Sequence, residues 1–294
     1  MSKIAILTDS SCDIPQEMAE KYGIDIMSFH ILLDDVDYVE RESCTNTEFY
    51  DKMRAAKGVP STAAITPIQF CEKYCQYVDE GYTDVIHVPI NKSGSSTYNN
   101  ALMAQGMLRE ERPEHHLKIH LLDPHTYSMV FGWYLCEMAR KLKNGAEISH
   151  VIREFEKQMD CMEIVLGPYS LKQMKKSGRI SAAAAVMGEL MGIRPIITLI
   201  DGKTKVEAKV RGDDKVVPAM VELALRRTGF APEQAVIIGD RLYTDIACGV
   251  NAGIDSIFVL SGEGTEADIA QYGIHPTWIF SDIAALYRQL EETL

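Results

Sequence analysis

An apolar run, a polar loop and an amphipathic helix follow one another again and again through the first half of the chain. Residues 3–8 read as a strand, the loop Thr8-Asp9-Ser10-Ser11-Cys12-Asp13 follows, and Ile14-Pro15-Gln16-Glu17 opens a helix that ends near Gly23. The alternation in Ile24-Asp25-Ile26-Met27-Ser28-Phe29-His30-Ile31 predicts a second strand, and a helix from Thr47 has Thr45 as its cap. A helix over 67–80, a strand over 84–90, a helix from Tyr98, a strand over 117–122 and a helix over 126–143 continue the pattern. Strands separated by helices imply a largely parallel sheet covered on both faces, which is an α/β fold. The strand-to-helix loops then gather along one edge of the sheet, where such sheets bind ligands.

The pattern pauses at Lys143-Asn144-Gly145. At 294 residues the chain is long enough for two domains. We therefore expect two α/β domains with mainly parallel sheets, residues 1–146 and 147–294, with a ligand cleft between them and a helix over 147–160 leading from one to the other. The second begins at Glu163-Ile164-Val165-Leu166 and includes a small-residue helix over 181–192. Apolar runs over 194–200 and 205–210 flank Asp201-Gly202, a hairpin signal.

Hydrophobic residues at 46% and charged residues at 24% exclude a disordered chain. No apolar run approaches the roughly 20 residues needed to cross a bilayer, and the first apolar stretch is too short for a signal peptide, so a cytoplasmic location is expected. With 42 acidic against 30 basic residues the net charge of −12 opposes nonspecific attraction to nucleic acid or anionic lipid. The seven cysteines are odd in number and scattered, which suits reduced thiols. Cys71 and Cys75 stand four apart on a helix with no second pair at zinc spacing, and are read as core packing.

Three hydroxyl-rich segments lie at strand or helix ends: Thr8-Asp9-Ser10-Ser11, Ser61-Thr62-Ala63-Ala64-Ile65-Thr66 and Ser93-Gly94-Ser95-Ser96-Thr97. Their hydroxyls, with the first free helical N–H groups, can converge on a carboxylate or phosphate. The ordinary alternative is that each caps a helix. Lys175-Lys176-Ser177-Gly178-Arg179-Ile180-Ser181 supplies cations, and an Arg there can pair with a carboxylate, although a solvated lysine face is the commoner use of such a run.

The order of these motifs resembles the DegV family of bacterial fatty-acid-binding proteins. The matching pieces are Ile4-Ala5-Ile6-Leu7-Thr8-Asp9-Ser10-Ser11, Pro60-Ser61-Thr62-Ala63, Ser95-Ser96-Thr97-Tyr98, Lys176-Ser177-Gly178-Arg179-Ile180-Ser181, Arg194-Pro195-Ile196 and Lys209-Val210-Arg211, over residues 3 to 215. The resemblance implies a protein without catalytic residues or cofactor that buries one long-chain fatty acid between two domains. It implies that Ser61, Thr62, Ser93 and Ser95 hold the carboxylate, with Arg179 and Arg211 near the mouth, and that a separate ATP-dependent fatty acid kinase is the partner. Gly212-Asp213-Asp214 departs from the basic stretch usual in the family. The family's closing His-x-Gly-x-Gly loop is also missing, and His275 is a candidate stand-in, its ordinary reading being a surface loop residue.

After residue 215 a second resemblance begins, to the C-terminal part of haloacid-dehalogenase-type phosphatases. It rests on Lys215-Val216-Val217-Pro218, Ile238-Gly239-Asp240-Arg241-Leu242-Tyr243-Thr244-Asp245-Ile246 and Gly249-Val250-Asn251-Ala252-Gly253. It implies Asp240 as a magnesium ligand, Asp245 as a supporting acid and Lys215 as a phosphate-binding lysine, and makes a magnesium-dependent phosphatase the alternative function. Such an enzyme needs an Asp nucleophile in an Asp-x-Asp-Gly-Thr stretch, which this sequence lacks. The tail is therefore expected to complete the second domain's sheet rather than to catalyse.

Overall fold

A computed structural model describes residues 3–168, 192–200 and 203–293. The chain divides into two compact units, built mainly of Met1–Ile164 and of Val206–Leu294. The first runs β1 (Ile4–Asp9), α1 (Gln16–Tyr22), β2 (Ile24–Met27), β3 (His30–Leu33), β4 (Val36–Val39), α2 (Asn46–Ala55) and β5 (Ser61–Ala63). It continues with α3 (Pro67–Asp79), β6 (Asp84–Val88), α4 (Thr97–Glu111), β7 (Lys118–Leu121), α5 (Met129–Lys143) and α6 (Ile148–Met159).

A parallel four-stranded sheet in the order β2-β1-β6-β7 forms its centre. Successive side chains of a strand point to opposite faces, and both faces here are apolar. Ala5, Leu7 and Val85 pack against Phe70 and Tyr74 of α3 and Ala101 and Leu108 of α4. Ile6, Ile86 and Val88 pack against Ala19 of α1, Phe131 and Leu135 of α5, and Phe155 of α6. The α/β class and the parallel sheet expected from the spacing are what the chain adopts.

Two local expectations are corrected. The strand expected over 24–31 is two strands in two sheets: β2 joins the parallel sheet, whereas β3 pairs antiparallel with β4 and with β5. Between them the Phe29 N–H donates to the Ser10 hydroxyl, 3.0 Å, instead of to a strand, and the Phe29 ring enters the core under α3. Secondly, α6 does not lead away to another domain. Val151, Phe155 and Met159 lie in the same core as β1 and α5, so the pause at Lys143-Asn144-Gly145 is a turn inside the first unit.

Beyond α6, β8 (Ile164–Leu166), β9 (Ile193–Ile200) and β10 (Lys203–Arg211) form a sheet in the order β10-β9-β8. Ile196 packs there with Val216 and Leu223 of α7 (Val216–Thr228). The tail adds β11 (Val236–Gly239), α8 (Ala247–Ala252), β12 (Asp255–Val259), α9 (Glu266–Tyr272), β13 (Trp278–Phe280) and α10 (Ile283–Thr293). It builds its own parallel sheet, β11-β12-β13, rather than extending the sheet before it, which corrects the expected role of the tail. Phe258 on one face of β12 meets Leu242 and Ile246, and Ile257 and Val259 on the other meet Leu286, so this sheet has its own core. Arg179 and its basic segment 175–181, the expected 181–192 helix except Gly192, and the turn Asp201-Gly202 lie outside the described residues.

Candidate functional site

In the order β2-β1-β6-β7 the chain moves to one side of β1 first and to the other side afterwards. The loops leaving the carboxyl ends of β1 and β6 therefore diverge and leave a crevice, the usual ligand position in an open α/β sheet. Asp9, the last residue of β1, ties the two loops together. Its Oδ2 accepts the Ile90 N–H at 2.6 Å, and its Oδ1 accepts the Ser11 N–H at 3.1 Å and the Ser11 hydroxyl at 2.5 Å. Next to it the Thr8 hydroxyl donates to the Val88 carbonyl, 2.7 Å.

A hollow of about 530 Å³ opens at this point. Phe29, Ala63, Ala64 and Ile90 give it apolar wall, and Ser11, Thr62, Ser95, Ser96 and Tyr127 give it hydroxyls. Gly94 and Glu40 complete the lining. A Cβ on Gly94 would come 2.1 Å from the Tyr127 hydroxyl, so only glycine lets that ring close the wall as it does.

The structure brings together Thr62 and Ser95 of the predicted residues. Thr62 is in the edge strand β5, opposite Ile31 of β3. Ser61, one position earlier, points to the other face and is not among the lining residues. Ser95 Oγ lies 2.8 Å from Thr97 Oγ1 and accepts the Thr97 N–H at 3.2 Å. Ser96, the residue before α4, makes no side-chain cap, so the positive end of this helix is available at the edge of the hollow. Ser93 is exposed, with its N–H turned to Asn91 Oδ1 at 2.7 Å, and does not line the hollow. Arg211 ends β10 as an exposed residue of the second unit.

Sequence reasoning missed Glu40 and Tyr127, which carry no motif. Glu40 Oε2 accepts the Ser10 hydroxyl at 2.5 Å, and that hydroxyl is also the acceptor for Phe29. Ser10, like Thr8, is thus consumed inside the fold. Asp9 is fully buried, and burial pushes its carboxyl up to about 6 against the lowering effect of the hydrogen bonds from Ser11 and Ile90; the charge of Glu40 raises it further.

In the tail, Asp240 Oδ2 accepts the Glu263 N–H at 2.8 Å and Asp245 Oδ2 accepts the Arg241 N–H at 3.1 Å, so both carboxylates fasten loops. Lys215 ends an exposed turn, Asp213–Lys215, and His275 is exposed between α9 and β13. All seven cysteines are free. Sγ of Cys71, Sγ of Cys75 and a Glu111 carboxylate oxygen lie within 4.8 Å of one another. Burial pushes the Cys71 thiol up to about 12, and both cysteines lie in the core with Phe70 and Tyr74. No helix among the described residues is long and apolar enough to cross a membrane.

An α/β unit with a hydroxyl-lined, partly apolar hollow at the switch point of its parallel sheet is the class of protein that the fold and the site define. The chain belongs to the DegV family: the family model "Uncharacterised protein, DegV family" matches residues 3–258, past residue 215 and into β12 of the tail sheet. A DegV domain-containing protein of Clostridium perfringens is 30% identical over 222 residues, 76% of this chain and 77% of its own length. Among solved structures, a fatty-acid-binding DegV family protein of Streptococcus agalactiae superposes with a TM-score of 0.71 at 25% identity, covering 87% of this chain and 92% of that one. A DegV lipid-binding protein of Thermotoga maritima gives 0.66 at 25% identity, covering 85% of each.

Proposed function

We propose that this chain is a non-enzymatic carrier of long-chain fatty acids, that it grips the carboxylate with Thr62 and Ser95, and that it acts in the cytoplasm. The observation that carries the reading is the meeting of those two hydroxyls in one partly apolar hollow where the loops of β1 and β6 diverge. Its structural relative from Streptococcus agalactiae is itself a fatty-acid binder, and the seven free thiols suit a reducing compartment. Burying an acyl chain gains roughly 0.8 kcal/mol per methylene, so fourteen methylenes offer on the order of 11 kcal/mol before ordering costs. Each hydroxyl bonded to the acid headgroup adds about 0.5–1.5 kcal/mol, or about 1.5–3 where the headgroup keeps its charge, and offsets its desolvation. The chain therefore sets strength and the hydroxyls set orientation, leaving the acid end to be presented to a separate ATP-dependent kinase.

The phosphatase alternative finds no support in the comparisons, and Asp240 and Asp245 are already engaged with backbone N–H groups. Protein purified without added ligand is expected to release a long-chain fatty acid on solvent extraction, identified by mass, and to show no phosphate release from p-nitrophenyl phosphate with magnesium. Absence of a bound acyl chain together with no affinity for added fatty acid would overturn the carrier reading. Turnover abolished by Asp240→Ala would replace it with the enzyme.

A further inference from the structure

The hollow offers an incoming acid the company of another acid. Among the described residues that line it there is no Lys, Arg or His, and its charged member is Glu40. Asp9 stands directly behind the lining, bonded to Ser11 and Ile90, and its charge and that of Glu40 repel. The nearby cations are turned elsewhere. Arg41 donates to the Ile14 carbonyl at 2.7 Å and to Gln16 at 3.1 Å, on the α1 side. His30 on β3 pairs with Asp37 at 2.8 Å. In the loops after β6 and β7, Lys92 and His125 lie 3.6 and 4.0 Å from Asp123. Asp13 accepts the Ser128 hydroxyl, 2.5 Å, before α5, and Tyr127 brings a phenol.

A carboxylate bound against Thr62 and Ser95 would be a third negative charge in this enclosure, and two carboxylates sharing a site do not both stay ionised. The hydroxyls can serve either protonation state of the ligand, and among the described residues of the lining only the partial positive charge at the start of α4 opposes neutralisation. We infer that the fatty acid is held in this hollow with uptake of one solvent proton, shared between its carboxyl group and Glu40. The overall step is RCOO⁻ + H⁺ → RCOOH in the site, with Glu40 remaining a carboxylate that accepts the ligand's O–H. Glu40 is then a specificity residue: it favours single acids that can take up a proton and disfavours headgroups that keep a charge, such as alkyl sulfates.

The inference rests on the fatty-acid reading, and calorimetry separates the two. Titrate the full chain with dodecanoate at pH 7.5 in phosphate and in Tris, whose ionisation heats differ, and repeat with dodecanol. The wild type should take up about one proton per dodecanoate and none with dodecanol, and its dodecanoate affinity should fall about tenfold per pH unit from pH 7 to 8. Glu40→Gln keeps an acceptor oxygen for Ser10, and for the dodecanoate it binds should show proton uptake near zero and an affinity that no longer falls between pH 7 and 8. Dodecanoate bound by the wild type without proton uptake would overturn the inference while leaving the carrier reading intact, and so would equal uptake in Glu40→Gln. Failure of the wild type to bind dodecanoate and dodecanol alike would overturn the carrier reading, and the inference with it. Absence of uptake in the wild type overturns the inference even if the variant does not fold.

Discussion

Thr62 and Thr66 stand four residues apart in one hydroxyl-rich segment and do different work. Thr66 Oγ1 accepts the Gln69 N–H at 3.3 Å while the Gln69 side chain accepts the Thr66 N–H at 2.9 Å, a reciprocal cap on α3 with Pro67 at its first position. Thr62, exposed in β5, faces the hollow. Thr66→Ala should cost about 1 kcal/mol of stability, read as a lower urea midpoint, with fatty-acid affinity unchanged. Thr62→Ala should do the opposite. Free fatty acid should bind roughly tenfold more weakly, about 1.4 kcal/mol, and its methyl ester almost as before, because the hydroxyl serves the acid headgroup. Equal losses for acid and ester in a titration would count against that role. In the sequence the cap is signalled by Pro67, since proline favours the first helical position. Nothing comparable marks Glu40, whose importance arises only because β4 ends beside Ser10.

At the scale of elements, α6 shows why the domain boundary was harder to read than the strands. β1, β6 and β7 are legible as apolar runs followed by polar loops, but a helix-ending glycine looks the same whether the next helix folds back or departs. Here the Gly145 N–H donates to the Leu142 carbonyl and the Ala146 N–H to the Lys141 carbonyl, with Gly145 at φ 88°, which closes α5 and turns the chain back. The return buries Val151, Phe155 and Met159. Phe155→Ala should therefore destabilise the first unit by about 3–5 kcal/mol, seen in urea unfolding, and a loss below about 1 kcal/mol would show that α6 is not part of this core. β5 was illegible for a different reason. Ser-Thr-Ala has little of the β-branched or aromatic character of strands, and its extended form comes from pairing with β3. The turn that precedes β4 was equally hidden, because Asp34 and Asp35 take positive φ, 48° and 64°, in place of the usual Asn-Gly pair.

For the whole molecule, the crevice holds a charge that the fold tolerates at neutral pH for the sake of joining two loops, and the effect should be visible in global stability. Burial raises Asp9 from 3.8 to about 6. As pH rises through that window the folded protein keeps a proton that the unfolded chain gives up, so stability falls, by about 3 kcal/mol in total. His87, wholly buried with Nδ1 2.7 Å from the Tyr74 hydroxyl, acts in the other direction. Burial pulls it from 6.5 down to about 3, so the unfolded chain takes up a proton first and stability falls as the solution is acidified below 6.5. Between about pH 4 and 6 the two slopes oppose each other, and the wild type conceals both. Asp9→Asn can still accept the Ile90 N–H through its amide oxygen, and it removes one slope. Its stability relative to wild type, from urea unfolding, should be about 2.4 kcal/mol more favourable at pH 7 than at pH 4. A difference between the two proteins that does not change with pH would mean that Asp9 is not held buried and ionised at the divergence of β1 and β6.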